Sequence, residues 1–511
     1  MQRRLYFHLP AGETGQEILH RLQQEFSVVR AEAGRSLVQY YDTFDWRLHQ
    51  AGLILNWDSN QMLLFQTDPP YSEYICSLAQ ELKFIKDFPA GVLKDKLHPI
   101  TDVRALLPLF AIKKNVLKIK FLDHHQKTVC FGFYEKNSIH RDGVHRRLKP
   151  VLCILPLKGY SKFAEKMITT LAAMKFQAVE TDLYYLACQK LHINPGSYSS
   201  KLQVQIDRKM GVQQAEKLIL QQLLSTLEIN ENGIILDTDT EFLHDYRVAV
   251  RRIRSLFGQL RDHFPAGICA RARKDFPPLI QLSNKRRDID VFIHHQNEYR
   301  ALLPPRYRRT VLPLFEYLGQ QRLKEHKKIL RYLHSDGYKE LKYFWNNFCS
   351  NFSPLKSPAP VLMALVQNVA DQNIQKRYNK ILKFKKSITA GISDEFLHRI
   401  RIECKKLRYA LEFFLSLSDQ TAVRSILKKL RLLQDTLGEY HDWCIQQKRL
   451  LVYLKQISAR EQNMKSMIGA VNGLVFKLQE KKKHLHVTFR EQFADLCHPD
   501  LQKMIRVLFT R

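Results

Sequence analysis

The sequence predicts a multi-domain chain, α+β first and all-α after it, with the helical part built as a tandem duplication. Three observations carry that prediction. Runs of β-type residues dominate the first part, helical periodicity dominates the second, and the turn-rich stretch Ile193-Asn-Pro-Gly-Ser-Tyr-Ser-Ser-Lys201 separates them. The duplication rests on an internal match at one fixed offset, described below. A chain of 511 residues is long enough for several domains, each able to bury a core. The expected division is residues 1–192, a linker over 193–201, and a helical domain over 202–511 with repeats at about 202–350 and 356–511.

In the first part, β-branched and aromatic runs at Ser36 to Tyr41, Leu53 to Trp57, Gln61 to Gln66, Val116 to Phe121, Thr128 to Tyr134 and Val151 to Leu157 read as strands. An amphipathic pattern over Lys162 to Lys175 reads as a helix.

In the second part, residues 242–260 (FLHDYRVAVRRIRSLFGQL) align with residues 396–414 (FLHRIRIECKKLRYALEFF) at an offset of 154. The same offset lays Arg287-Asp288-Ile289-Asp290 over His441-Asp442-Trp443-Cys444, so that in each copy a histidine stands 44 residues before an aspartate. A duplicated helical unit packed about a pseudo-twofold axis is the expectation.

Charge narrows the function. Lys and Arg number 81 against 50 for Asp and Glu, a net charge of +31, which favours polyanionic partners. The surplus lies mostly after residue 200, where 55 basic side chains face 31 acidic ones. Nine cysteines occur singly, with no C-x-x-C pair, which disfavours a zinc cage or a disulfide framework and fits a reducing compartment. No apolar run is long enough to cross a bilayer and no secretory leader is visible, so a cytoplasmic protein is expected.

At 100° per residue, His244, Arg247, Arg251 and Arg254 share one arc of roughly 80° on a helix. Leu243, Tyr246, Ala249, Val250, Ile253, Leu256, Phe257 and Leu260 form the opposite, apolar stripe. The second copy repeats the division, with His398, Arg401, Lys405 and Arg408 on the polar side and Ile400, Cys404, Leu407 and Leu411 on the other. Like charges one turn apart repel. Two cationic faces without interleaved acids therefore suggest that a bound anion supplies the missing charge, and imidazoles in such a face would become cations as pH falls through about 6.5. Asp288 and Asp442 are expected to support the arginines from behind. Surrounding arginines argue against a metal site.

The phrase His244-x-x-Arg247-x-x-x-Arg251-Arg252-x-Arg254, its echo His398-x-x-Arg401-x-x-x-Lys405-Lys406-x-Arg408-Tyr409, and Leu433-Gln434-Asp435-x-Leu437-Gly438-x-x-x-Asp442 resemble the CHAD family, the conserved-histidine α-helical domain. The resemblance covers about residues 205–511. It implies two antiparallel four-helix bundles about a pseudo-twofold and a basic surface that binds inorganic polyphosphate. The implied ligands are His244, Arg247, Arg251, Arg252, Arg254, His398, Arg401, Lys405, Lys406 and Arg408.

The first part is similar to a CYTH domain, the triphosphate tunnel fold, through Tyr40-Tyr41-Asp42-Thr43-x-Asp45-x-x-Leu48-x-x-x-Gly52-Leu53-x-Leu55. Active members of that family begin with Glu-x-Glu-x-Lys, two carboxylates that hold a metal. Here Gln2, Arg4 and Tyr6 stand in those places, and Asn56 and Asp58 stand where the family has two phosphate-gripping arginines. The resemblance thus implies a degenerate antiparallel β tunnel or barrel without hydrolase or cyclase activity. The expected function is non-enzymatic binding of inorganic polyphosphate, without a cofactor, in the cytoplasm or on polyphosphate granules. Two alternatives stay open at this point: an RNA or other nucleic-acid ligand, and a residual metal-dependent triphosphatase in the first domain.

Overall fold

A computed structural model describes residues 5–10, 12–67, 72–179, 182–351, 364–390, 392–457 and 464–509. It divides into two compact units, Met1–Ser199 and Ser200–Arg511.

The first unit is an antiparallel sheet of β1 (Leu5–His8), β2 (Ser27–Asp42), β3 (Leu53–Asp58), β4 (Gln61–Gln66), β5 (Glu73–Ser77), β6 (Leu107–Leu122), β7 (Thr128–Arg141), β8 (Val144–Arg147), β9 (Val151–Pro156) and β10 (Gln177–Val179). The order is β10-β1-β9-β7-β6-β2-β3-β4-β5, with β8 beside β7. Around it lie α1 (Gly15–Glu25), α2 (Arg47–Gln50), α3 (Val92–Thr101), α4 (Ser161–Ala173) and α5 (Leu183–Lys190). The six expected strands and the helix after residue 160 are all present, but β2, β6 and β7 are much longer than their signals. In β6 the reason is a change of buried face. Phe110 and Ile112, even-numbered, pack with Tyr184 under α5, whereas Ile119 and Phe121, odd-numbered, pack with Ile18 and Leu171 under α1 and α4. A single alternation cannot span both halves. The facing strand β2 carries a register shift between Arg30 and Ala33.

The Tyr40 to Leu55 motif is a structural corner. Buried Asp42 accepts backbone N–H bonds from Thr43, Leu48 and His49, at 2.6, 3.0 and 3.0 Å, and so fixes α2 against the end of β2. Asp45 pairs with Arg47 and with the fully buried Arg104. Gly52, at φ +67°, turns the chain into β3. Gln2 and Arg4 lie outside the described residues, while Tyr6 sits in β1, opposite Cys153.

The second unit is helical: α6 (Val212–Ile235), α7 (Thr240–Gln259), α8 (Ala266–His294), α9 (Gln296–Leu302), α10 (Leu312–Leu333), α11 (Asp336–Ser350), α12 (Val366–Lys383), α13 (Asp394–Phe413), α14 (Gln420–Ile457), α15 (Met464–Leu496) and α16 (Pro499–Phe509). Helix starts at 212 and 366, at 240 and 394, and at 266 and 420 all differ by 154, as do the ends of α7 and α13 at 259 and 413. Even the caps correspond. The Asp239 carboxylate accepts from the N–H groups of Glu241 and Phe242, and the Ser393 hydroxyl accepts from Phe396.

The apolar stripes dock as the periodicity requires, with Ala249, Val250, Ile253 and Leu256 fully buried on α7, and Ile400, Cys404 and Leu407 on α13. One cluster lies wholly in the second repeat, from Ile374 to Phe509. Another joins the repeats, packing Ile289, Phe292, Leu314 and Leu318 of α8 and α10 against Trp443, Leu450, Val471 and Leu474 of α14 and α15. The two copies therefore share apolar interior. Among the described residues no helix is long and apolar enough to cross a membrane.

Candidate functional site

The polar faces of α7 and α13 do not stay separate. Arg251 of the first repeat reaches the same neighbourhood as Arg401, Lys405 and Arg408 of the second, and the four cations push on one another's protonation. Lys405 feels this most. Burial, followed by Arg401, Arg251 and Arg408, pushes its ammonium down to about 6, with Asp442 opposing. Burial also lowers Arg251 and Arg401. The Nε atoms of Arg251 and Arg401 and the Tyr409 hydroxyl are buried with no hydrogen-bond partner in the protein. Buried donors are normally satisfied, so this is a built concentration of unused hydrogen-bond capacity.

Three of the expected ligands are engaged elsewhere. Arg247 is 8% exposed and ties α7 to α8, donating to the Ile280 carbonyl at 3.0 Å, the Ser283 hydroxyl at 2.5 Å and the Asn284 amide oxygen at 2.9 Å. Burial pushes its guanidinium down to about 10. Arg252 lies at roughly 80° from His244 on the helix, off the polar arc. Its guanidinium is buried, ion-paired with Glu412 at 2.8 Å and bonded to the Ser200 carbonyl at 2.6 Å. It locks α7 to α13. Lys406, its counterpart, pairs with Glu403 at 2.6 Å. Arg252 and Lys406 thus lie off the two arcs, and on the second arc the expectation of a face without acids fails, because Glu412 stands on that side of α13. Arg408 is shared, lying 3.7 Å from Glu412. Arg254 is exposed, His244 half-buried and His398 exposed.

The two aspartates lie close enough to feel each other's charge. Asp288 is ion-paired with Arg449 of the other repeat, and its carboxyl is also felt by Arg247, Asp442 and Arg287. Asp442 faces Arg401, Arg287, Lys405 and His295. Burial raises both carboxyls above the usual range despite these cations. The arrangement is pseudo-symmetric: Asp288 and Asp442 correspond at offset 154, and so do their partners His295 and Arg449.

Two members were not expected. Arg287 stands beside Asp442 and Arg251. The His441 ring lies 5.1 Å from the His398 ring, and burial, Arg401, His398 and Lys405 push it down to about 4. Both were visible as an aligned pair immediately before the aspartates, but a single position with Arg in one copy and His in the other does not announce a role. The Leu433 to Asp442 motif has a mechanical reading. Leu433 and Leu437 are buried, and Gln434 donates to the Cys404 carbonyl at 2.8 Å, seating α14 on α13. Gly438 leaves room beside Arg401, whose Nη2 would lie 3.9 Å from a Cβ there.

Residues 218–451 match the family model described as the CHAD domain. Among solved structures, the CHAD domain from the plant Ricinus communis is similar at 22% identity, covering 57% of this chain and 96% of that one with a TM-score of 0.49. PptA from Streptomyces chartreusis is similar at 14% identity, covering 55% and 98%, TM-score 0.42. An adenylyl cyclase homologue from Hippeastrum, described as having a dominant triphosphatase activity, is similar at 9% identity, covering 38% and 99%, TM-score 0.27. A search of the curated proteins gives no match. The helical unit, whose duplicated helices bring two cationic faces together, is similar to the CHAD domain over residues 218–451, and an antiparallel β domain precedes it in the chain.

Proposed function

We propose that the helical unit binds inorganic polyphosphate without transforming it, gripping the chain where the two repeats meet. The observation that carries this reading is the crowding of Lys405 by Arg251, Arg401 and Arg408 with Asp442 as the opposing carboxylate. An anion placed there would complete the hydrogen bonding of the Arg251 and Arg401 guanidiniums and relieve the mutual repulsion. A linear phosphate chain supplies many such anions at close spacing. RNA also carries phosphates, but single-stranded RNA is usually held by aromatic side chains on which bases stack. Phe242, Tyr246, Phe257, Phe396, Tyr409 and Phe413, the aromatics of α7 and α13, are all buried. A bare phosphate chain suits this face better.

The test is a titration of the full chain with long-chain polyphosphate, repeated with the Arg401→Gln/Lys405→Gln double variant and with RNA as competitor. Tight binding lost in the variant and resistant to RNA supports the reading. Equal affinity in both proteins overturns it, and displacement by equimolar RNA phosphate moves the assignment to nucleic acid.

A further inference from the structure

We infer that capture of the anion is coupled to proton uptake, with Lys405 and His441 neutral in the free protein and protonated in the complex. This rests on the polyphosphate reading above and adds a means by which pH controls the same site.

The geometry sets the conditions. Lys405 stands among Arg401 and Arg408 of its own helix and Arg251 of α7, and His398 of the same helix faces His441 with ring centroids 5.1 Å apart. From α14 it meets His441 and Asp442, and behind Asp442 stand Arg287 and Asp288 of α8 and His295 just after it. Charged cations in this group outnumber the two carboxylates, of which Asp288 is already paired with Arg449. In such surroundings the last proton to be added is the costliest. Arginine keeps its proton at any ordinary pH, so the deficit falls on the lysine and the imidazole. The free-state values agree, about 6 for Lys405 and about 4 for His441.

A phosphoryl oxygen reverses the balance. An opposite charge within a few ångströms raises the pKa of a cationic acid, by one unit for each 1.36 kcal/mol of added interaction. The sign follows directly. A group with a free-state pKa near 6 and a higher bound-state value binds a proton with the ligand at pH 7 to 8. Affinity is then greatest below about pH 6 and declines as pH rises toward the bound-state value. For one proton the loss is about tenfold per pH unit. Alkalinisation releases the chain and acidification tightens the hold.

Calorimetric titration of the full chain with long-chain polyphosphate, in two buffers of different ionisation enthalpy at pH 7.5, reads the proton number. Internal phosphoryl groups do not titrate in this range, whereas chain ends do, with a second pKa near 6. Two chain lengths at equal total phosphate separate their contribution. The expected result is uptake of about one proton or more per binding event, independent of chain length. Lys405→Arg should remove about one proton and flatten the affinity between pH 6 and 8, and His441→Asn should remove the remainder. Binding without proton uptake in the unmodified protein, or uptake unchanged in Lys405→Arg, overturns the inference and leaves the polyphosphate reading intact. Absence of binding at every pH overturns both.

Discussion

Arg401 stands at the position of Arg247, 154 residues later, yet the two guanidiniums have opposite fates. Arg247 is held by the Ser283 hydroxyl, the Asn284 amide oxygen and the Ile280 carbonyl. In the second repeat the residues at 437 and 438, which correspond to Ser283 and Asn284, are Leu437 and Gly438. Both side-chain acceptors have vanished. Arg401 keeps a buried Nε without a partner and turns its charge toward Lys405. The same helix pair is thus a structural tether in one copy and an anion-facing device in the other.

Restoring one acceptor should undo this. Gly438→Asn introduces an amide where a Cβ meets only Arg401 Nη2, at 3.9 Å, so the side chain fits without displacing backbone. A hydrogen bond to a charged group contributes roughly 1.5 to 3 kcal/mol. With Arg401 held as Arg247 is, polyphosphate affinity should fall by about tenfold while the melting temperature stays level or rises. Anisotropy titration and thermal unfolding of the same preparation check this, and unchanged affinity would sever Arg401 from the site.

Arg252 and Arg401 should separate stability from binding. Arg252→Met leaves Glu412 with Arg408 alone, at 3.7 Å, and removes the bond to the Ser200 carbonyl. Breaking a buried pair costs about 3 kcal/mol, so the denaturation midpoint should drop with little change in affinity. Arg401→Met removes a crowded cation and should weaken polyphosphate binding at least tenfold without lowering the midpoint. If both variants move both quantities together, the division between lock and ligand is wrong.

Salt dependence reports how many cations engage. Eight contacts would give a log-log slope of about −5 to −6 at roughly −0.7 per phosphate contact on a single strand. With Arg247 and Arg252 tethered, and Arg251, Arg287, Arg401, Lys405 and Arg408 left in the cluster, the same factor gives about −3.5. Affinities measured between low and moderate salt distinguish the two, and Arg251→Gln should reduce the steepness by about 0.7.

The sequence carried the helices well because their signals are periodic and local. The start of α13 follows from the position of α7 plus 154, and the buried stripe from Leu243 to Leu260 follows from the heptad-like spacing. What it did not carry was the partner of each charge. Glu403 sits on the same helix as Lys406, whereas Glu412 reaches from α13 to Arg252 on α7, a pairing that no projection of a single helix contains. Nor does a one-dimensional pattern say that Arg251 crosses to the other repeat, since that depends on how the two helices meet. Likewise β6 hid half its length, because its buried face changes parity between Ile112 and Ile119.

Away from the site, Glu216 sets a limit on alkaline stability. Its side chain on α6 is fully buried, and neither carboxyl oxygen has a hydrogen-bond partner. Burial therefore raises its pKa well above the ordinary value. For an acid whose folded-state pKa exceeds the unfolded one, the neutral form is favoured by folding. Stability is intact below the unfolded pKa near 4.5 and is lost as pH rises toward the folded value, at about 1.4 kcal/mol per unit. Glu216→Gln keeps the shape and removes the titration. Urea unfolding at pH 5 and pH 8 should show the variant close to the parent at the lower pH and clearly more stable at the higher. A difference that does not grow with pH would mean that the carboxyl finds a partner and is charged in the fold.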